Sequence, residues 1–186
     1  DIVWRRRLAA MIPDGDRLQV LDVATGTADV ILTILKRRKN VADGIGLDMA
    51  GQMLLIGQEK AVADGFCDRL GFIHGDALAL PFASDSFDAV TIAFGIRNVV
   101  DVPLALREMQ RVLKPGGKAL ILEFSLPTNR LLRAGYLMYF RHILPRLGSI
   151  ISGDGFAYRY LNETVEDFPY GSAFCRLMEE AGFDEV

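Results

Sequence analysis

One stretch near the start of the chain constrains its fold more than any other. Residues 20–29 read Val-Leu-Asp-Val-Ala-Thr-Gly-Thr-Ala-Asp, an apolar run that is typical of a β-strand and that ends in small residues. The run passes directly into residues 30–35, Val-Ile-Leu-Thr-Ile-Leu, which can form a helix. A strand, a tight turn of small residues and a helix N-terminus let a ligand approach free backbone N–H groups. The stretch therefore predicts a ligand cradle at a βα turn.

The turn lacks the glycine pattern of a dinucleotide site. That fingerprint is G-x-G-x-x-G, whereas here Gly26 stands alone, with Ala24 and Ala28 two residues to either side. A nicotinamide-dependent dehydrogenase is therefore disfavoured. From the turn alone, the alternative that this is an ordinary βα connection with no ligand stays open.

Strand-like and helix-like segments alternate along the chain, which predicts an α/β fold. We expect a doubly wound, Rossmann-like and mostly parallel sheet with helices on both faces. Residues 1–186 are expected to form a single domain with a helical substrate-lid insertion at about 126–170. The chain is expected to begin inside a helix and to end in the first residues of a strand at 182–186, without the closing C-terminal strands. The predicted strands are 18–23, 43–48, 71–74, 87–94 and 118–124. The predicted helices are 28–38, 50–64, 101–113 and 172–181. Lys-Pro-Gly-Gly at 114–117 is expected to end the helix at 101–113.

Composition excludes several classes of protein. The net charge of −3 gives no basic footprint for nucleic acid. The sequence contains no run of 18 apolar residues, so we expect no membrane-spanning helix. Cys67 and Cys175 are far apart in sequence, and we interpret them as buried free thiols in a reducing compartment. With His74 and His142 the only histidines, we expect no dedicated zinc or other metal site.

Acidic residues follow three successive predicted strands. Asp22, Asp48 and Asp76 stand at or just beyond the strand ends, where ligands bind in an open parallel sheet. Asp22 could accept from an amine, Asp48 from both hydroxyls of a ribose, and Asp76 from the amino group of an adenine, with the Ala77 N–H donating to a ring nitrogen. Such a negative set suits a cationic ligand better than one that carries phosphates.

Several motifs then identify a family resemblance. The most specific are Phe-Gly-Ile-Arg-Asn-Val at 94–99 and Arg-Val-Leu-Lys-Pro-Gly-Gly at 111–117, with Leu-Glu-Phe-Ser at 122–125, Leu-Pro-Arg-Leu-Gly at 144–148 and Tyr-Arg-Tyr-Leu at 158–161. With them the chain resembles class I S-adenosylmethionine-dependent methyltransferases. Over nearly its whole length it is similar to the ubiquinone/menaquinone biosynthesis C-methyltransferase family.

The resemblance implies S-adenosylmethionine as the cofactor. The family commonly has Gly where this chain has Ala28, and often has Ser where it has Ala93. Ala28 fits the turn if its φ is negative, and crowding of the cofactor by its methyl group is the alternative. The family's N-terminal segment, which helps to close the site, is expected to lie before residue 1. Strand ends and resemblance together give the expected cofactor contacts as Asp22, Ala24, Gly26, Thr27, Asp48, Met49, Asp76, Ala77 and Ala93.

The resemblance also implies transfer of the methyl group to a ring carbon of a prenylated hydroquinone. We expect Arg97 to stabilise the phenolate and Asn98 to orient it; a structural pairing of Arg97 with a carboxylate is the alternative. His142 is a candidate base or a packed surface residue, and Tyr158 and Tyr160 either line the substrate pocket or pack elsewhere. A sibling methyltransferase acting on another phenol or lipid stays open. So does a non-catalytic, cofactor-binding assembly subunit.

The segment between Phe124 and Gly153 holds no acidic residue and mixes apolar with basic side chains. That composition is typical of a membrane-surface element, and a pocket for a polyprenyl tail or a buried lid helix are its alternatives. We therefore expect the prenylated hydroquinone and the membrane surface as partners, no nucleic acid, and a cytoplasmic location at the inner face of the membrane. A homodimer stays open.

Overall fold

The fold centres on a five-stranded parallel sheet. The computed structural model describes residues 2–125, 129–138 and 168–186. The strands are β1 (Leu18–Val23), β2 (Val41–Asp48), β3 (Leu70–His74), β4 (Phe87–Ala93) and β5 (Leu113–Leu122). The helices within the described residues are α1 (Ile2–Met11), α2 (Asp29–Arg37), α3 (Gly51–Ala63), α4 (Val102–Val112), α5 (Arg130–Met138) and α6 (Ser172–Glu180), with a short 3₁₀ turn at Ile96–Asn98.

Helices cover both faces of the sheet. Against one face, Leu8 of α1 and Ile31 of α2 share a buried cluster with Val20 of β1. Leu21 follows Val20 and therefore points to the opposite face, and Leu106 of α4 is fully buried outside that first cluster. The predicted α/β fold with a parallel sheet is confirmed.

The strand order places a crevice at the middle of the sheet. The order is β3-β2-β1-β4-β5, with every pairing parallel. The chain winds outward from β1 to one edge and then returns to β4 on the other side of β1. The carboxyl ends of β1 and β4 therefore flank the topological switch point, where open α/β sheets bind their ligands.

Strand β5 corrects the prediction for residues 113–124. It begins at Leu113, which pairs with Phe87, and the register then jumps so that Lys118 pairs with Ala89. The Lys-Pro-Gly-Gly stretch lies inside this strand as an irregularity instead of preceding it, because Gly116 has a φ of +79°. The strand also ends at Leu122, two residues earlier than predicted.

Two strand ends differ from the prediction because of left-handed residues. β4 stops at Ala93 because Phe94 has a φ of 57°. No strand forms at 182–186: the Phe183 N–H donates to the Met178 carbonyl (3.1 Å), and Gly182 has a φ of +94°. These are the features of a helix C-terminal turn.

The chain divides into two compact units. One comprises Asp1–Glu123 and Leu177–Val186 and contains the sheet; the other comprises Phe124–Arg176. Among the residues the structure describes, no helix is both long and apolar enough to cross a bilayer. Cys67 and Cys175 are free thiols, but Cys67 is exposed, so the expectation that both are buried is wrong.

Candidate functional site

A cavity of about 330 Å³ opens at the switch point. Its wall is built from residues at the carboxyl ends of β1, β2 and β4 and just beyond β3. The predicted site residues that line it are Ala24, Asp48, Met49, Asp76, Ala77, Ala93 and Asn98. A concave site with few polar groups at this place in the sheet is the expected position for a ligand.

Other predicted site residues lie elsewhere. Asp22, Gly26, Thr27 and Arg97 are absent from the cavity lining. His142, Tyr158 and Tyr160 lie outside the described residues, so their predicted roles stay predictions.

The turn after β1 is left-handed at every second residue. Ala24, Gly26 and Ala28 have φ values of 51°, 56° and 63°. The condition of a negative φ, under which Ala28 would fit the turn, is therefore not met. The left-handed conformation costs an alanine roughly 1–2 kcal/mol. The methyl group of Ala28 is fully buried in the core, which offsets part of that cost and keeps it out of the cavity lining.

Asp48 holds the turn from the end of β2. Its Oδ2 accepts a hydrogen bond from the Gly26 N–H and its Oδ1 accepts one from the Ala50 N–H, both at 2.8 Å. Each carboxylate oxygen has a second lone pair and can accept another hydrogen bond. Asp48 therefore shapes the turn and presents acceptors to the cavity.

The loop after β3 brings Asp76 and Ala77 into the lining of the same cavity. The Oδ1 of Asp76 accepts from the Leu78 N–H at 3.0 Å, which is an Asx turn. Nearby, the His74 ring nitrogen Nε2 lies 2.8 Å from the Met49 carbonyl and links the ends of β2 and β3. Carboxylates from neighbouring strands thus face one cavity.

Asp22 is directed into the protein. Its carboxylate accepts from the hydroxyls of Thr25 (2.7 Å) and Thr91, which ties the turn to β4. Burial raises its pKa from 3.8 to about 6, although the bonds from both threonines lower it. Asp22 therefore supports the turn from behind the cavity.

Thr27 belongs to a polar cluster formed by α2 and α3. Its hydroxyl accepts from Lys60 Nζ at 2.8 Å, and Lys60 also donates to Asp29 at 2.9 Å. Burial raises the pKa of Asp29, but the hydrogen bond from Lys60 and the nearby charges of Arg5 and Lys60 outweigh it and lower that pKa overall. The Thr27 side chain is thus used in fixing the start of α2.

Arg97 forms an ion pair beside the 3₁₀ turn. Its Nη1 donates to Glu123 Oε1 at 2.5 Å and to the Phe94 carbonyl at 2.9 Å. The two side chains are only 11% and 8% exposed. The pair joins the ends of β4 and β5, which is the structural alternative considered for Arg97; a catalytic role stays a prediction.

Comparison with known proteins agrees with this architecture. The profile of the ubiE/COQ5 methyltransferase family matches residues 1–186. This chain belongs to that family. It is 46% identical over 183 residues to the demethylmenaquinone methyltransferase of Thermus thermophilus, covering 98% of this chain and 82% of the relative. It is 44% identical to the ubiquinone/menaquinone biosynthesis C-methyltransferase UbiE of Geobacter sulfurreducens, covering 98% of this chain and 71% of the relative.

The fold is shared with more distant structures. A methyltransferase-like protein from Bacillus halodurans superposes with a TM-score of 0.73 at 22% identity, over 97% of this chain and 68% of that one. At this identity the likeness concerns the fold alone. The methyltransferase activity itself follows from membership of the ubiE/COQ5 family.

In this ubiE/COQ5 methyltransferase, sequence reasoning missed part of the site. Gly95, Val99 and Val100 line the cavity beside Asn98. A glycine directly after a predicted central strand was the available signal for a close backbone approach. Val99 ends the motif at 94–99, but no pattern assigned it or Val100 to the site, since the 3₁₀ turn before them was not predicted.

The buried carboxyl of Asp22 should make stability fall as pH rises from about 4 to 6. Its pKa is about 6 in the folded protein, against 3.8 for an aspartate in the unfolded chain, so the folded state binds more protons between these values. The unfolding free energy therefore decreases with rising pH across that window, by roughly 3 kcal/mol in all. Urea unfolding of the wild type and Asp22→Asn across this range measures the effect. A difference between the two proteins that does not change with pH would contradict it.

Proposed function

We propose that this ubiE/COQ5 methyltransferase transfers a methyl group from S-adenosylmethionine to a ring carbon of a prenylated hydroquinone. Family membership and fold imply the cofactor. The names of the relatives support the acceptor, since they describe methylation of demethylmenaquinone and C-methylation in ubiquinone and menaquinone biosynthesis.

The charge of the cavity carries the proposal. Asp48 and Asp76 face it, and its lining among the described residues contains no lysine or arginine. Such a site attracts a cation and repels phosphates. When bound, S-adenosylmethionine supplies the methyl group on a positively charged sulfonium. The residues present therefore fit this cofactor and disfavour a dinucleotide.

Three polar groups of the lining suit the nucleoside part. The carboxylate of Asp48 accepts from the ribose hydroxyls, and that of Asp76 accepts from the adenine amino group. The Ala77 N–H donates to a ring nitrogen. Ala24, at the turn after β1, lets the methionine part approach the backbone.

Activation of the acceptor needs more than one polar group. A phenol titrates near 10, so ionising it at pH 7 requires about 4 kcal/mol. One charge-assisted hydrogen bond contributes about 1.5–3 kcal/mol. Asn98 lines the cavity. We assign to its side chain the role of orienting the ring hydroxyl of the acceptor. Arg97, one residue earlier, adds positive potential that Glu123 partly neutralises. A further donor or base is therefore needed; His142, outside the described residues, stays a candidate by residue type, with a packed surface role as its alternative.

Replacing Asp48 by alanine should weaken S-adenosylmethionine binding by at least about a hundredfold, since two hydrogen bonds to a carboxylate are lost. The Gly26 N–H also loses its acceptor. Calorimetric titration of the wild type and Asp48→Ala measures the loss. Asp68→Ala is the matched control, because it removes the same charge from an exposed residue outside the cavity. Equal affinities in all three proteins would contradict the proposal.

We also propose that α5 contacts the cytoplasmic face of a membrane. Leu131, Leu132 and Met138 are 84%, 66% and 60% exposed on this helix. Arg133 is exposed on the same helix, and residues 129–138 contain no acid. Exposed apolar and basic side chains on one helix suit an anionic lipid surface. The homodimer remains a prediction.

Sedimentation with vesicles tests this contact. The protein should sediment with vesicles that contain anionic lipid and much less with neutral ones, because both burial and charge contribute. Replacing Leu131 and Leu132 together by serine should reduce binding. Failure of the wild type to bind anionic vesicles would rule the contact out.

A further inference from the structure

The loop that carries Asp76 and Ala77 is held by α4, outside the cavity. Glu108 Oε2 accepts a hydrogen bond from the Leu80 N–H at 2.8 Å. Arg111 donates to the Leu80 carbonyl at 3.0 Å and to the Phe82 carbonyl at 2.8 Å. Neither Glu108 nor Arg111 lines the cavity. One turn of α4 thus makes three hydrogen bonds to the backbone just beyond the adenine-facing residues.

Glu108 and Arg111 also hold each other in place. Arg111 Nε lies 2.7 Å from Glu108 Oε1, and Nη2 lies 2.7 Å from Oε2. This two-bond geometry fixes both side chains more firmly than a single contact would. The hydrogen bond from Arg111, with smaller contributions from the Leu80 N–H and the Arg111 charge, lowers the pKa of Glu108 despite its partial burial. The carboxylate therefore stays ionised at neutral pH.

The other end of the loop is fixed at the sheet. The Gly75 N–H donates to the Asp48 carbonyl at 3.1 Å, and Asp76 Oδ1 accepts from the Leu78 N–H at 3.0 Å. Asp76 and Ala77 therefore stand between an anchor on β2 and an anchor on α4. Their position relative to Asp48 depends on both anchors.

We propose that Glu108 and Arg111 are positioning residues that set the loop so that Asp76 and Ala77 read the amino edge of the cofactor's adenine. The inference rests on the proposed binding of S-adenosylmethionine. Displacements of about 1 Å at a positioned group can cost a hundredfold. Loosening the α4 anchor should therefore remove discrimination at the adenine edge while leaving the contacts at the ribose and the methionine.

The test compares two ligands. One is S-adenosylmethionine, and the other is its inosine analogue, in which oxygen replaces the adenine amino group. The wild type should prefer S-adenosylmethionine, because Asp76 accepts from the amino group. In Glu108→Ala the affinity for S-adenosylmethionine should fall about tenfold, as expected for the loss of roughly one hydrogen bond, and the affinity for the analogue should change little. In turnover, KM for the cofactor should rise and kcat should stay unchanged.

Conservative variants separate positioning from folding. Glu108→Gln keeps an acceptor for the Leu80 N–H and should retain most of the preference. Arg111→Lys keeps the charge but cannot bond both carbonyls in the arginine geometry, so it should lose part of the preference. Arg107→Gln alters an exposed charge on the same helix and serves as the control.

The outcomes are distinct. A reduced preference in Glu108→Ala and Arg111→Lys, with the wild-type preference in Arg107→Gln, supports the inference. An unchanged preference, or an equal loss for both ligands, overturns the inference and leaves the proposed function intact. Absence of S-adenosylmethionine binding by the wild type overturns the proposed function, and the inference with it.

Discussion

Replacing Glu123 by alanine should lower the unfolding free energy by about 3–5 kcal/mol, as expected when one partner of a buried ion pair is removed. The guanidinium of Arg97 stays in its buried position after the carboxylate is gone, and both side chains are about nine-tenths buried in the wild type. The Phe94 turn, which Arg97 also contacts, should loosen with it. Urea unfolding monitored by circular dichroism measures the change.

An exposed ion pair supplies the control. Asp14 is fully exposed and bonds to Arg38 at 2.9 Å. Asp14→Ala should therefore cost less than about 1 kcal/mol. If Glu123→Ala lowers the unfolding free energy no more than Asp14→Ala does, the buried ion pair does not stabilise the fold as predicted.

A double variant tests whether Arg97 also serves the reaction. Arg97→Met with Glu123→Leu removes both charges and keeps apolar volume, and such replacements are often neutral or stabilising. Most of the stability lost in Glu123→Ala should return. Turnover should stay low if Arg97 stabilises the phenolate, and should return with stability if the pair only supports the fold.

Gly95→Ala should weaken cofactor binding by at least about tenfold and destabilise the protein by about 1–3 kcal/mol, the usual cost of overpacking. An added Cβ would lie 2.6 Å from the Cβ of Ala24, which is too close for two methyl groups. Gly95 has a φ of −109°, so the backbone itself permits alanine. The contact must instead push apart the ends of β1 and β4, and both residues line the cavity.

The reciprocal change should rescue this variant. Ala24→Gly removes the methyl group that Gly95→Ala would meet, and glycine suits the φ of 51° at that position. The double variant should recover both stability and affinity for S-adenosylmethionine. Melting curves and calorimetric titration of the two single variants and the double variant measure this. A double variant no better than Gly95→Ala would show that the close approach is not the cause.

The sequence alone determined the sheet and the edge at which the site forms. Apolar runs alternating with amphipathic segments indicated the parallel strands, and the carboxyl ends of such strands meet at one edge. Asp48 and Asp76 therefore face one cavity, as their positions after β2 and β3 predicted. Their places at the ends of successive predicted strands carried this information, because parallel strands all end at this edge.

Only the tertiary structure decided how the remaining polar groups are used. Asp22 is bonded to Thr91, 69 residues away in sequence, and Arg97 is bonded to Glu123, 26 residues away. The turn is left-handed at Ala28, although local preference disfavours that conformation for alanine. These outcomes depend on which side chains neighbouring strands and helices bring into contact. A local sequence pattern shows that a carboxylate or guanidinium stands at a strand end, but its partner is chosen by packing across the sheet.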